Sequence, residues 1–160
     1  MRRLSIVVTG MFLLTATGCA SRCASKTEST TADHLKQHGM VSWHELMTTN
    51  VSASKDFYMK LFGWTTTDIK TDGMPYTMIK VDGKEVGGIM SMPPEAKGAG
   101  APPNWGIYVT VDNVDATSKL AANLGAKILV APRDIPDVGR FCVIQDPQGA
   151  VISAITYKCK

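Results

Sequence analysis

The apolar and polar positions of this chain pass through the same order twice. From Trp43 to Trp64 (WHELMTTNVSASKDFYMKLFGW) a mixed strand pattern over 41–49 gives way at Asn50 to a helical one. Asn50 is suited to cap the first free amides, and Gly63 to end the helix in a left-handed conformation. Ala53, Phe57 and Leu61 recur at four-residue spacing with Tyr58 and Phe62 beside them, which predicts a helix whose broad apolar stripe is core. Three strands are predicted next: 64–70, then 76–81 with Tyr/Met/Lys alternating against Thr/Ile, then 86–92. Asp82-Gly83 joins the last two as a hairpin turn. Gly87 and Gly88 weaken the third of these strands and suit close approach of another backbone.

After a linker at 93–103, rich in proline and glycine, the order returns. Asn50, Val51, Ala53 and Leu61 recur as Asn113, Val114, Ala116 and Leu124, each 63 residues on. Residues 105–111 predict a strand. Asp112 or Asn113 caps a helix with Val114, Thr117, Ala121 and Leu124 as its stripe, and Gly125 stops it. Strands are predicted at 127–131, 140–145 and 150–157, with a loop at 132–139 and the turn Asp146-Pro147-Gln148-Gly149 before the last. The chain is therefore α+β, with two βαβββ modules at about 41–92 and 104–157 in one domain over 40–158.

The segment before that domain reads as an address. Arg2 and Arg3 precede an apolar run over 4–14, too short to span a bilayer as a mature helix. Small residues then end in Gly18-Cys19, which resembles a bacterial lipobox. On that resemblance 1–19 is a lipoprotein signal peptide, and Cys19 carries the lipid on the new N-terminus. The expected place is the cell envelope, at the periplasmic face of the outer membrane where the host has one. Residues 20–39, rich in Ser, Thr and Lys, form a solvated tether. His34 and His38 lie on it four apart, as a polar linker pair or a weak metal pair. Cys142 is expected as a buried small hydrophobe, and Cys23 and Cys159 are free to pair. Without the two leading arginines the formal charge of +3 falls to +1 from Ala20 onward, with no basic stripe among aromatics. No nucleic-acid partner is expected.

Several motifs come together in this frame: Trp43-His44-Glu45-Leu46, Phe57-Tyr58, Leu61-Phe62-Gly63-Trp64, Gly87-Gly88, Val138-Gly139-Arg140-Phe141 and Asp146-Pro147-Gln148-Gly149. With the two modules they resemble the vicinal oxygen chelate superfamily: glyoxalase I, bleomycin and fosfomycin resistance proteins, and extradiol dioxygenases. That resemblance implies curled mixed sheets around a cavity with helices outside. It also implies, for the family's enzymes, a divalent metal on His, Glu or Gln from the first and last strands of each module.

Carried onto this chain, the metal positions fall on Trp43, Gly106, Ser153 and a residue near Met90. Trp, Gly, Ser and Met do not make a divalent site, so no metal or other cofactor is expected. His44 is one residue out of step and is expected on the opposite face. It is either a ligand or base, or a half-buried histidine under the helix. Glu45 and Met47 share the face of Trp43. An inward Glu45 among apolar groups would have a perturbed pKa, and would serve to bind a hydrogen-donor or cationic ligand or to act as a base. At a strand end it would be paired or wet instead. Tyr108 is expected inward from the second module, with Trp105 beside it. Arg140 is placed either to close over the rim on an anionic group or to be a solvated hairpin arginine.

Three functional readings follow. The first is an exported, lipid-anchored protein that binds a small apolar or aromatic molecule at Trp43, Glu45, Met47, Met90, Trp105, Tyr108, Arg140 and Ser153 without a metal. If it is an enzyme, Glu45 is the catalytic group. The second is a metal-dependent lyase or dioxygenase with ligands displaced to His44, Glu45 and Glu85. The third is a structural or interaction module at the envelope. A homodimer fits any of these.

Overall fold

A computed structural model describes residues 34–71 and 73–158. The signal segment, Cys19, Cys23 and Cys159 lie outside the described residues. The first module is β1 (Val41–Thr48), α1 (Val51–Phe62), β2 (Thr65–Thr71), β3 (Met74–Val81) and β4 (Lys84–Ser91). The second is β5 (Asn104–Thr110), α3 (Val114–Asn123), β6 (Lys127–Ile135), β7 (Gly139–Gln145) and β8 (Val151–Tyr157). A short helix, α2 (Pro94–Gly98), lies in the linker. β1 runs parallel to β4 and β5 parallel to β8, while β1 and β5 pair antiparallel and join the modules. The result is one open, mixed, eight-stranded sheet in the order β2-β3-β4-β1-β5-β8-β7-β6.

Local chemistry accounts for most element ends. Asn50 accepts from the Ala53 amide at 3.0 Å, and Asn113 from Ala116 at 2.9 Å. Gly63 closes α1 at φ 69°. Asp82 and Gly83 both adopt positive φ, as the two-residue hairpin between β3 and β4 requires. β6 extends to Ile135, past the loop expected from Pro132 onward. A proline is tolerated there because β6 is an edge strand with unpaired amides on one side.

The helices cover one face of the sheet. Leu46, Ile79 and Ile89 form the core under α1, and Val111, Val114, Cys142, Ile144 and Ala154 the core around α3. Burying each larger aliphatic side chain stabilises by about 1.5–3 kcal/mol. The stripe of α1 differs from the expected one. Val51, Ser54 and Tyr58 turn toward the sheet, with Ser54 Oγ 2.9 Å from Thr48 Oγ1. Phe57, Leu61 and Phe62 are each more than half exposed. The helix docks through its Val51–Ser54–Tyr58 side, so the Ala53–Phe57–Leu61 row, one residue out of step, stands off the sheet along its whole length. In α3, Val114 and Ser118 are buried and Ala121 packs on the core, whereas Leu124 is 70% exposed.

The end of the expected tether is tied down. Thr110 Oγ1 donates to the Leu35 carbonyl at 2.7 Å and Gly39 N to the Thr110 carbonyl at 2.8 Å. His38 Nδ1 stands 3.1 Å from Asp112 Oδ2. Among the described residues no helix is long and apolar enough to cross a membrane.

Candidate functional site on the inner face

The face turned away from the helices is built by strand register. Across β1–β5, Trp43 stands opposite Tyr108 and Glu45 opposite Gly106. Across β1–β4, Glu45 lies beside Gly88 and Met47 beside Met90. Across β5–β8, Tyr108 lies beside Ser153. Paired residues share a face, so Trp43, Glu45, Met47, Met90, Tyr108 and Ser153 all lie on this inner one.

Glu45 is at its centre, flanked by two residues without side chains. Over Gly88 lies Tyr76, which reaches in from β3; a Cβ on Gly88 would overlap its phenol. Over Gly106 lies the end of Met47. Tyr76 donates its hydroxyl to Glu45 Oε1 at 2.9 Å, and Tyr108 to Oε2 at 2.7 Å. Trp43 Nε1 donates to the Tyr76 oxygen at 2.9 Å. Ser153, the buried strand partner of Tyr108 across β5–β8, lies next to it. Beyond it, Phe141 and Ile155 complete an apolar wall packed with Trp43, Val130, Ile135, Val143 and Tyr157.

The electrostatics follow from burial. Glu45 is 8% exposed, and desolvation pushes its carboxyl above the usual range; the bonds from Tyr108 and Tyr76 pull it back only in part. Burial and the nearby Glu45 charge drive the Tyr76 and Tyr108 phenols far upward, so both stay protonated and act as donors. No buried side-chain nitrogen or oxygen among the described residues lacks a partner. The site is thus a satisfied buried carboxyl rather than a stranded one. It is a stronger base than a surface carboxylate, and it stands behind half-buried Trp43, Met47, Tyr76 and Met90.

Two expected members stand elsewhere. Trp105 pairs with Leu46, which places it on the helix side. Its Nε1 donates to Tyr58 Oη at 3.0 Å, and its ring meets Trp64 edge-on with centroids 6.0 Å apart. There it borders an outer groove of about 480 Å³, with His44, Tyr58, Phe62, Trp64 and Val86. The odd step between Trp105 and Gly106 inverts the side chain. Arg140 is also on the helix side. Nε and Nη2 hold Asp115 of α3 at 2.8 and 3.0 Å, and Nη1 holds Asp134 at 3.0 Å. Those bonds hold the Asp115 carboxyl below its usual range and leave Arg140 no freedom to cover the inner face.

Tyr76 is the residue that sequence reasoning missed. The signal for it was Gly88, whose close neighbour turned out to be an aromatic ring and not another backbone. Gly87 does meet backbone: a Cβ there would come 2.6 Å from the His44 carbonyl oxygen. The residues present do not fit a divalent metal. His44 is on the opposite face from Glu45, and Glu85 is exposed, 3.9 Å from Lys80. Among the described residues no three His, Cys, Asp or Glu side chains are placed to hold one ion.

The model of the Glyoxalase/Bleomycin resistance protein/Dioxygenase superfamily matches residues 30–153. The glyoxylase-like protein CFP32 of Mycobacterium tuberculosis is 34% identical over 145 residues, 90% of this chain and 54% of its own. The anthracycline biosynthesis protein DnrV of Streptomyces peucetius is 33% identical over 126 residues, 72% of this chain and 46% of its own. The chain thus spans about half the length of these curated relatives. A Streptomyces coelicolor methylmalonyl-CoA epimerase shares the fold at TM-score 0.56 and 16% identity, covering 77% of this chain and all of that one. With two βαβββ modules joined through β1 and β5 and a family match over most of its length, the chain belongs to the Glyoxalase/Bleomycin resistance protein/Dioxygenase superfamily.

Proposed function

We propose that this is an exported, lipid-anchored domain whose inner face binds a small apolar or aromatic molecule without a metal ion. The observation that carries this is Glu45: a carboxyl buried at the centre of the inner face, held by two phenols and, among the described residues, paired with no cation. A buried, strongly perturbed acid in an apolar setting is a candidate functional group. Trp43, Met47 and Met90 supply the apolar surface, and aromatic stacking on Trp43 favours a planar ligand. Tyr76 and Tyr108 hold the carboxylate lone pairs in place, and Ser153 packs beside Tyr108. A ligand hydroxyl or amine that displaces one phenol would bond directly to Glu45. Where the ligand carries an acidic proton, Glu45 is the group positioned to take it. Export and anchoring rest on the arginine pair, the apolar run and Gly18-Cys19.

N-phenyl-1-naphthylamine, a neutral aromatic probe, tests the site through its fluorescence. Saturable micromolar binding is expected. It should be lost in Gly106→Leu, which fills the floor beside Glu45, and kept in Phe62→Ser, which opens the outer groove. The opposite pattern would move the site to the helix side. Dialysis against zinc, nickel or manganese followed by metal analysis tests the metal-free claim; stoichiometric retention lost in Glu45→Gln would overturn it. Radiolabelled palmitate should enter the wild-type chain and not Cys19→Ser.

One observation favours a second reading, an interaction module or homodimer. Phe57, Leu61 and Phe62 of α1 present an exposed apolar surface next to Trp105. Light scattering of the purified chain, against Leu61→Ser, distinguishes a dimer from a monomer.

A further inference from the structure

Building on the ligand-binding site proposed above, we infer that the inner-face ligand carries an anionic oxyacid group, a carboxylate or sulfonate, and that Arg133 holds it. Arg133 pairs with Phe141 across β6–β7, so its side chain stands on the inner face. Its guanidinium carbon lies 5.0 Å from the Phe141 ring centroid. Phe141 is buried and its ring is 6.2 Å from that of Tyr108, which bonds Glu45. One continuous aromatic wall therefore connects the exposed guanidinium to the buried carboxyl.

Arg133 differs from Arg140 in what surrounds it. Arg140 takes both nearby acids, Asp115 and Asp134, on the helix side. Strand alternation sends Asp134, the neighbour of Arg133 in sequence, to that opposite face. Among the described residues no carboxylate forms an ion pair with Arg133. A guanidinium lying against a ring keeps its N–H edge free, and that planar edge matches the two oxygens of a carboxylate or sulfonate. The ring also fixes the group's position, so less side-chain freedom is lost on binding.

The geometry also sets a ligand shape. β1 and β6 are separated by four inter-strand steps, roughly 19 Å along a flat sheet and less along a curled one. An anion at Arg133 is thereby kept away from Glu45. The ligand is amphiphilic: an apolar body against Trp43, Val130 and Val143, the half-buried side chains packed on that wall, with its charge at the β6 edge.

Two probes that differ by one sulfonate test this with the full chain. 1-Anilinonaphthalene-8-sulfonate is expected to bind about tenfold tighter than neutral N-phenyl-1-naphthylamine at low salt, with the difference shrinking as salt rises. Arg133→Gln should erase that preference and leave the neutral probe's affinity unchanged, and Arg133→Lys should keep part of it. Phe62→Ser should alter neither probe. Equal wild-type affinities, or an equal loss of both probes in Arg133→Gln, would overturn the anion site. If Gly106→Leu still abolished both probes in that case, the inner-face site would stand without it. Indifference of both probes to Gly106→Leu would remove the inner-face site and the anion site together.

Discussion

Tyr76 occupies the space that a side chain on Gly88 would need. One strand, β4, separates Tyr76 from Glu45, yet its hydroxyl reaches Glu45 Oε1 at 2.9 Å because β4 is bare at Gly88 between them. Trp43 then bonds the same phenol from the far side. The centre of the inner face is therefore organised by a missing side chain. Gly88→Ala should displace the ring, break both bonds and destabilise by about 1–3 kcal/mol, as overpacking commonly does. Urea denaturation measures the loss, and the Trp43 contribution to fluorescence should change with it. An unaltered midpoint would contradict this account of Gly88.

Tyr108→Phe removes the donor from Glu45 Oε2 without changing ring volume. A buried acceptor left unsatisfied costs about 1–3 kcal/mol. Tyr157→Phe is the comparison: it removes a bond to Ser42 Oγ at 3.0 Å from a half-buried residue, and should cost roughly 0.5–1.5 kcal/mol. Equal costs for the two variants would show that Glu45 is less dependent on its phenols than the geometry requires.

The pH dependence follows from the direction of the Glu45 shift. Burial raises its folded pKa above the unfolded value, so between the two values the folded state holds the extra proton. Stability is then highest below the unfolded pKa, near 4.5, falls as pH rises through the folded value, and is flat above it. Glu45→Gln has no such proton. Its stability relative to wild type should rise across that window and level off above the folded value. Denaturation midpoints of both proteins from pH 4 to 8 check this; parallel curves would refute it.

The exposed and buried aliphatic positions make opposite predictions. Leu61→Ser on α1 removes little buried area and should change stability by less than about 0.5 kcal/mol. Ile79→Ala, at a position 1% exposed beneath the same helix, should cost about 2–5 kcal/mol. Thermal or chemical denaturation separates them. A large loss in Leu61→Ser would mean that this face is covered in solution, and would support the homodimer.

The sequence by itself determined what local interactions specify. The caps at Asn50 and Asn113, the glycine stop at Gly63 and the Asp82-Gly83 hairpin act within a few residues, so both modules and their order were legible. Period-two alternation likewise put Trp43, Glu45 and Met47 on one face and His44 on the other. Only the tertiary structure decided which residues meet across strands. Tyr76 joined Glu45 because β3 pairs with β4 in the one register that puts its ring over Gly88. Trp105 and Arg140 went to the helix side because pairing with Leu46 and Thr156 set their faces, and Arg133 took the inner face in their stead. Phe57 and Leu61, apolar at helical spacing, stayed exposed because the sheet under α1 receives Val51 and Tyr58. Register and docking angle are set by partners far away in the chain, and no short window of residues contains them.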